Sequence, residues 1–291
     1  MNFTGKACLA GVMGWPVAHS RSPACHGHWL AHYGVDAAYV PLPVRPENLE
    51  TALRALPLLG FAGVNVTVPH KEAALAIVDE ADALATRIGA VNTISVRADG
   101  GLVGTNTDGF GFLENLRHGA PSWQAAAGPV VVLGAGGAAR AIVAALLDAG
   151  APEIRLVNRT VARSESLRDA LAGPIRVESW ATRADTLAGA SLLVNATTLG
   201  MTGGDALDLD LGQLPDAALV TDIVYAPLET PLLAAARGLG HPTVDGLGML
   251  LHQARPGWRL WFGGAVPGDG GPIDPEVTGA LRDAVLLDVD R

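Results

Sequence analysis

The feature that most restricts what this chain can fold into is a glycine-rich turn in mid-sequence. Pro129 to Leu133 reads as a short buried strand and runs directly into Gly134-Ala135-Gly136-Gly137-Ala138-Ala139. Ala138 to Ala149 then reads as a helix that is apolar on nearly every side except at Arg140 and Asp148, so it has to pack on a sheet. A lone G-x-G-x-x-G carries little weight, but between a buried strand and a long helix it has the context that a dinucleotide site needs. Gly134 permits the tight turn, Gly136 lets backbone approach a pyrophosphate, and a small residue at 139 lets helix and strand pack closely. The helix N-terminus then faces the phosphates. The alternative is an ordinary glycine-rich strand-to-helix turn.

Strands at Ile154 to Val157, Ser191 to Asn195, Leu219 to Ile223 and Pro242 to Asp245 continue an alternating pattern, which predicts a Rossmann-like, doubly wound parallel sheet. The first part of the chain has its own βαβ rhythm. Ala7 to Val12, Ala38 to Leu42 and Gly63 to Val68 read as strands, and Ala90 to Val96 with Gly100 to Gly104 as a hairpin. Helices are expected over Ala24 to Tyr33, with Ser22 as N-cap and Pro23 in the first position, over Glu47 to Leu58, and over Ala73 to Val78. Gly109 to Leu116 reads as a linking helix. After a Gly- and Pro-rich run from Gly263 to Gly271, Asp274 is a candidate N-cap for a last helix toward Asp288. At 291 residues the chain exceeds what one core usually organises, so the fold class is α/β with two domains.

Composition excludes several functions. A formal charge of -9, with no cluster of five or more Lys or Arg, repels a phosphate backbone, so nucleic acid is not an expected partner. The longest apolar stretch, about 125 to 149, is broken by Pro129, Arg140, Asp148 and four glycines, so no membrane span is expected. Two cysteines and no secretion signal fit a reducing cytoplasm.

The end of the second strand of the glycine-turn sheet selects the dinucleotide. An acidic residue there accepts the ribose 2′-hydroxyl of NAD, but this chain reads Asn158-Arg159-Thr160, then Arg163. Arg159 can stack on adenine and pair with a 2′-phosphate, with Arg163 a turn further on and Asn158 and Thr160 as donors, so NADP is the expected cofactor. Alternatively, the two arginines form a solvated surface pair and Thr160 caps a helix.

In Gly63-Val64-Asn65-Val66-Thr67-Val68-Pro69 a period of two buries the three valines and places Asn65 and Thr67 on the opposite face, at the end of the strand where open α/β sheets bind ligands. Lys71 follows at or near a helix N-terminus, where the partial positive charge disfavours an ammonium, a cost to folding that serves proton transfer. It could instead pair on the surface with Glu72 or Glu80. Asp108 opens the linking helix, where it could act as N-cap, as a catalytic carboxylate, or as both. His26, His28 and His32 are the candidates for a metal site. His28 and His32 lie one turn apart, but no nearby trio of Cys, Asp and Glu completes a ligand set, so no metal is expected. Cys25 reads as a small buried hydrophobe.

The segments Gly14-Trp15-Pro16-Val17-Ala18-His19-Ser20-Arg21-Ser22-Pro23, Asn65 to Glu72, Gly89-Ala90-Val91-Asn92-Thr93, Asn106-Thr107-Asp108-Gly109, Gly134 to Ala139 and Asp245-Gly246-Leu247-Gly248-Met249-Leu250 resemble the signature blocks of the shikimate dehydrogenase family, in family order and across nearly the whole chain. The resemblance implies that Ser20 and Ser22 bind a substrate carboxylate. Thr67, Lys71, Asn92 and Asp108 would surround the ring hydroxyls and ketone, with Lys71 and Asp108 as a convergent catalytic pair. Tyr225 and Gln253 match further substrate contacts. The loop Asn195 to Met201 resembles the support of the nicotinamide. With Gly134, Ala135, Gly136, Gly137 and Ala138, and with Asn158, Arg159, Thr160 and Arg163, the implied cofactor contacts are Thr197, Ile223, Gly246 and Met249.

The implied domains are 1–107, a substrate-binding domain completed by 246–291, and 108–245, an NADP-binding domain. The implied activity is NADP-dependent reduction of 3-dehydroshikimate to shikimate, in aromatic amino acid biosynthesis, by a monomer or homodimer. Three positions depart from the commonest pattern. Ala139 replaces the third glycine, Thr198 stands where serine is frequent, and Arg255-Pro256-Gly257-Trp258 is expected to break the last binding helix early. Rival readings are a quinate or quinate/shikimate dehydrogenase, against which Ser20, Ser22 and the acid-free Asn158-Arg159-Thr160 argue, and a non-catalytic dinucleotide-binding sensor, which would need neither Lys71 nor Asp108.

Overall fold

In a computed structural model of the chain, which describes residues 3–265 and 273–287, the alternating segments form two separate six-stranded sheets. The chain divides into two units, Met1–Thr107 with Leu251–Arg291, and Asp108–Leu250. The sequence placed the return to the first unit at Gly246, whereas the division falls at Leu251, inside a helix.

The first unit runs β1 (Cys8–Gly14), α1 (Ser22–His32), β2 (Ala37–Pro43), α2 (Leu49–Ala55), β3 (Phe61–Val66), α3 (Lys71–Ile77), β4 (Glu80–Ala81), α4 (Ala83–Ile88), β5 (Thr93–Val96) and β6 (Leu102–Thr105). Its sheet order is β2-β1-β3-β5-β6-β4; β1 pairs in parallel with β2 and β3, while β5 is antiparallel to both β3 and β6, the hairpin read from the sequence. Val64 and Val66 are buried, but Val68 is 63% exposed. The period of two stops early because Thr67 to His70 leave the sheet as a turn, with the His70 N–H donating to Thr67 O at 2.8 Å. The helix expected over 47–58 is shorter, a 3-10 turn at Pro46–Asn48 followed by α2.

The second unit contains α5 (Asp108–Gly119), β7 (Val130–Leu133), α6 (Gly137–Asp148), β8 (Ile154–Asn158), α7 (Val161–Leu171), β9 (Ile175–Ser179), β10 (Leu192–Asn195), β11 (Leu219–Asp222), α8 (Pro231–Gly238) and β12 (Thr243–Val244). Every strand pair is parallel, in the order β12-β11-β10-β7-β8-β9. The order reverses between β7 and β10, as in a doubly wound dinucleotide fold. All four residues of β7 are fully buried, as a strand covered on both faces must be. Small residues bring α5 and α6 close together, since a Cβ on Gly109 would lie 2.8 Å from Ala141 O and 2.9 Å from Ala145 Cβ. The helices α7 and α8 and the edge strand β9 were not anticipated.

From the second unit, α9 (Leu247–Trp261) carries the chain back to the first, and α10 (Gly279–Leu286) follows. Pro256 lies inside α9 and does not break it. An interior proline costs about 3 kcal/mol, but Trp258, Trp261 and Phe262 just beyond it are 0–5% exposed, and burying each such side chain is worth roughly 1.5–3 kcal/mol. The last helix is capped by Thr278, whose Oγ1 accepts from Leu281 N at 3.2 Å, and not by Asp274, which pairs with Arg255 at 2.6 Å. Of the Gly- and Pro-rich run, residues 266–271 lie outside the described residues, as does Asp288.

These aromatic residues close over His26, which is fully buried and stacked on Tyr39 at 4.0 Å between ring centroids. His28 and His32 stack on one another nearer the surface, so the three histidines do not share a face. Burial lowers the His26 pKa from 6.5 to about 3. The unfolded chain therefore takes up the proton first, and the contribution of His26 to stability is complete above about pH 6.5 and lost as pH falls toward 3, by about 1.4 kcal/mol per pH unit. Thermal unfolding from pH 7 to 4 should show a steeper loss for the native chain than for His26→Phe; equal slopes would contradict it.

Candidate active site

In the first unit the candidate residues gather at the C-terminal ends of β1 and β3. Thr67 N–H donates to Met13 O at 2.8 Å, and Trp15 N–H to Val68 O at 3.2 Å, which ties the loop carrying Ser20 to the turn leading into Lys71. Gly14 is required where the two segments meet, because a Cβ there would lie 2.5 Å from Thr67 Cγ2. Lys71 is the first residue of α3, and its carbonyl accepts from Val91 N–H at 2.9 Å, fixing its backbone beside Asn92. Ser22 is the first residue of α1 rather than its cap. Its backbone N–H reaches Ser20 Oγ at 3.4 Å.

The Tyr39 hydroxyl donates to Asn65 Oδ1 at 2.6 Å, and Asn65 Nδ2 donates to Thr93 Oγ1 at 3.0 Å. Asn65 is thus a buried strut behind the site instead of a residue presented to a ligand. From Thr93 the network passes to Asn92 Oδ1 at 2.9 Å, which also accepts from Thr107 N–H at 2.8 Å. Asn92 Nδ2 donates to Thr107 Oγ1 at 3.0 Å and to Gln253 Oε1 at 3.1 Å, and Thr107 Oγ1 donates to Gln253 O at 2.9 Å. Gln253 lies in α9, three residues before Pro256. Asp108 follows Thr107 directly as the first residue inside α5 and is 3% exposed, one position past the cap, where a carboxylate suits the helix dipole. Tyr39, Asn65 and Thr93 have no local sequence signal for this role, because their partners lie tens of residues away.

In the second unit Gly134 has φ +110, and a Cβ there would lie 2.8 Å from Ala196 O, so only glycine fits the turn. Gly136 is the N-cap of α6, with no side-chain capping bond and no atom within 4 Å of the position a Cβ would take. The first-turn N–H groups of α6, from Gly137 and Ala138 onward, are thus left without a side-chain cap, and a helix N-terminus of this kind suits a pyrophosphate. Ala139 is fully buried at the closest approach of helix and sheet.

At the end of β8, Asn158 Nδ2 donates to Thr160 O at 2.9 Å, and Arg163 N–H donates to the same carbonyl at 3.1 Å. Arg159, Thr160 and Arg163 are exposed, Thr160 makes no side-chain cap bond, and among the described residues neither arginine forms an ion pair. A dianionic 2′-phosphate suits such a cluster. Thr197 is held by Asn195, whose Oδ1 accepts from Thr197 N–H at 3.1 Å and from its hydroxyl at 2.7 Å. Gly246 lets the chain pass Ile223, where a Cβ would lie 2.5 Å from the Ile223 carbonyl. Met249 is buried and Tyr225 half-buried.

The second unit is thus a Rossmann dinucleotide fold with a basic, acid-free end to its second strand, in a chain whose first unit presents a lysine and a polar network at the ligand-binding ends of its own strands. Residues 12–94 match the model of the shikimate dehydrogenase substrate binding domain, and residues 121–200 that of shikimate / quinate 5-dehydrogenase. The shikimate dehydrogenase (NADP(+)) of Rhodospirillum rubrum is 63% identical over 98% of this chain and 99% of its own length. Among solved structures, quinate dehydrogenase from Corynebacterium glutamicum in complex with NAD is similar with a TM-score of 0.86 at 33% identity, over 97% of this chain and 99% of that one. Shikimate 5-dehydrogenase from Thermus thermophilus in complex with NADP(H) and shikimate has a TM-score of 0.82 at 37% identity, over 96% and 99%. The chain belongs to the shikimate dehydrogenase family.

Proposed function

We infer that the chain is an NADP-dependent oxidoreductase that reversibly reduces 3-dehydroshikimate to shikimate in aromatic amino acid biosynthesis. The observation that carries this reading is the 63% identity, end to end, with a shikimate dehydrogenase (NADP(+)). The acid-free Asn158-Arg159-Thr160 turn supports NADP over NAD. When bound, NADPH supplies the hydride. Gly134 to Ala138 cradle its pyrophosphate, Asn158, Arg159, Thr160 and Arg163 hold the 2′-phosphate, and Thr197, Ile223, Gly246 and Met249 seat the nicotinamide end.

Ser20 and Ser22 hold the substrate carboxylate, and Thr67, Asn92, Tyr225 and Gln253 orient the ring. Asp108 accepts from the ring hydroxyl next to the reacting carbon. The Lys71 Nζ donates a proton to the ketone oxygen as it becomes an alkoxide, and takes one from the hydroxyl in the reverse direction. The first unit is the substrate-binding domain on this reading, and the second the cofactor-binding domain. Free Cys8 and Cys25 suit a reducing cytoplasm, and none of the helices among the described residues is long and apolar enough to cross a membrane. The reading also assigns a monomer or homodimer.

Initial rates at the nicotinamide absorbance band test the assignment, with shikimate and quinate each offered NADP and NAD. Shikimate with NADP should be the fastest pair. Faster turnover of quinate with NAD would replace it with the activity named for the Corynebacterium relative, and tight NADPH binding without turnover would favour a sensor.

A further inference from the structure

Asp222 is a fully buried carboxylate that the proposed chemistry does not use. It ends β11 directly opposite Asn195, which ends β10. Its Oδ1 accepts from Asn195 Nδ2 and from Val224 N–H, both at 3.0 Å, and its Oδ2 accepts from Thr230 Oγ1 at 2.8 Å. Among the described residues no cation pairs with it, and burial raises its pKa against the pull of these bonds. A lone buried carboxylate is a costly way to support a helix cap that Thr230 already makes with Leu233 N–H at 3.3 Å.

The other side of Asn195 shows what the arrangement serves. Besides holding Thr197, Asn195 donates to Leu199 O at 3.0 Å, and Thr197 Oγ1 accepts from Leu199 N–H at 3.0 Å, so the whole turn hangs on one amide. Ionised, Asp222 offers only acceptors, and this fixes the Asn195 amide with its nitrogen toward the carboxylate and its oxygen toward Thr197. The same Oδ1 holds Val224, between Ile223 and Tyr225.

We propose that Asp222 is a positioning residue for hydride transfer: through Asn195 and Val224 it sets the placement of Thr197 relative to the segment Ile223 to Tyr225, and so the seat of the nicotinamide end of the cofactor. This rests on the reading that those residues contact that end.

Asp222→Leu keeps a similar volume but removes the acceptor that holds Asn195 Nδ2 and Val224 N–H. It should lower kcat by about 10- to 100-fold, the scale of an ångström's misplacement, while KM for shikimate stays within about threefold. Calorimetric titration supplies a readout independent of turnover. Binding of 2′,5′-ADP, which has the 2′-phosphate but no nicotinamide, should be unchanged, and the extra affinity of NADPH over 2′,5′-ADP should shrink. Thr230→Val, which removes the helix cap and the bond to Asp222 Oδ2 but leaves the Oδ1 bonds to Asn195 and Val224, should lower Tm and leave kcat near the native value. If Asp222→Leu does not fold, Asn195→Ala cuts the same connection and should reproduce the loss. The proposal is overturned if the folded variant keeps native kcat and NADPH affinity, or if 2′,5′-ADP binding falls in parallel with NADPH binding. Failure of the native protein to bind 2′,5′-ADP would instead remove the cofactor reading beneath it.

Discussion

Lys71→Ala lowers kcat by about 10²- to 10⁴-fold, equivalent to roughly 3 to 5 kcal/mol of barrier, while KM for shikimate changes by less than about threefold. The split follows from what the side chain does on the proposed mechanism. A proton delivered to a developing alkoxide stabilises the transition state far more than the ground state, so its loss appears in kcat. The fold should tolerate the change. Lys71 is only half-buried, alanine favours the first turn of a helix more than lysine does, and the backbone bond from Val91 N–H to the residue-71 carbonyl does not depend on the side chain. Circular dichroism of the variant should therefore match the native protein. Near-normal kcat in a folded Lys71→Ala protein would remove the lysine from the chemistry.

Arg159→Ala should raise KM for NADP by about 10- to 100-fold and leave KM for NAD within about threefold. A charge-assisted hydrogen bond is worth roughly 1.5–3 kcal/mol, and each 1.4 kcal/mol is a factor of ten in affinity. Arg159 gives up no ion pair among the described residues, so the loss should fall on the ligand and not on stability. The comparison of the two dinucleotides isolates the 2′-phosphate, because NAD lacks only that group. An equal rise for both would place Arg159 on adenine alone, and no change for either would leave it a solvated surface residue.

How much of this could be read in advance depended on whether the signal was local. The turn Gly134 to Ala139 was legible because its strand, glycines and helix are contiguous, and so was the hairpin of β5 and β6. The edge strand β9 was not, since Ile175 alone is buried and Arg176 and Glu178 carry charge. Helix α7 was missed although Ser164, Leu167 and Leu171 line one side, because the rest of it is polar. Pro256 misled because the residues that offset its cost lie beyond it. Asn65 misled because alternation says which face a side chain takes, not what waits there, and the Tyr39 hydroxyl arrives from another strand. Asp222 carried no signal at all, since its meaning comes from Asn195 on the neighbouring strand.

The first unit draws its last pieces from the far end of the chain. Gln253 completes the bonds of Asn92, and Trp258, Trp261 and Phe262 cover His26 and Tyr39. On the ribosome, therefore, the second unit can finish folding while the first still lacks its cover. At about 5–20 residues per second, the roughly 150 residues from Thr107 to Trp261 take on the order of ten to thirty seconds to appear. Throughout that interval the nascent chain exposes an aromatic surface, an open invitation to holdase chaperones that a contiguous order of synthesis would have withdrawn.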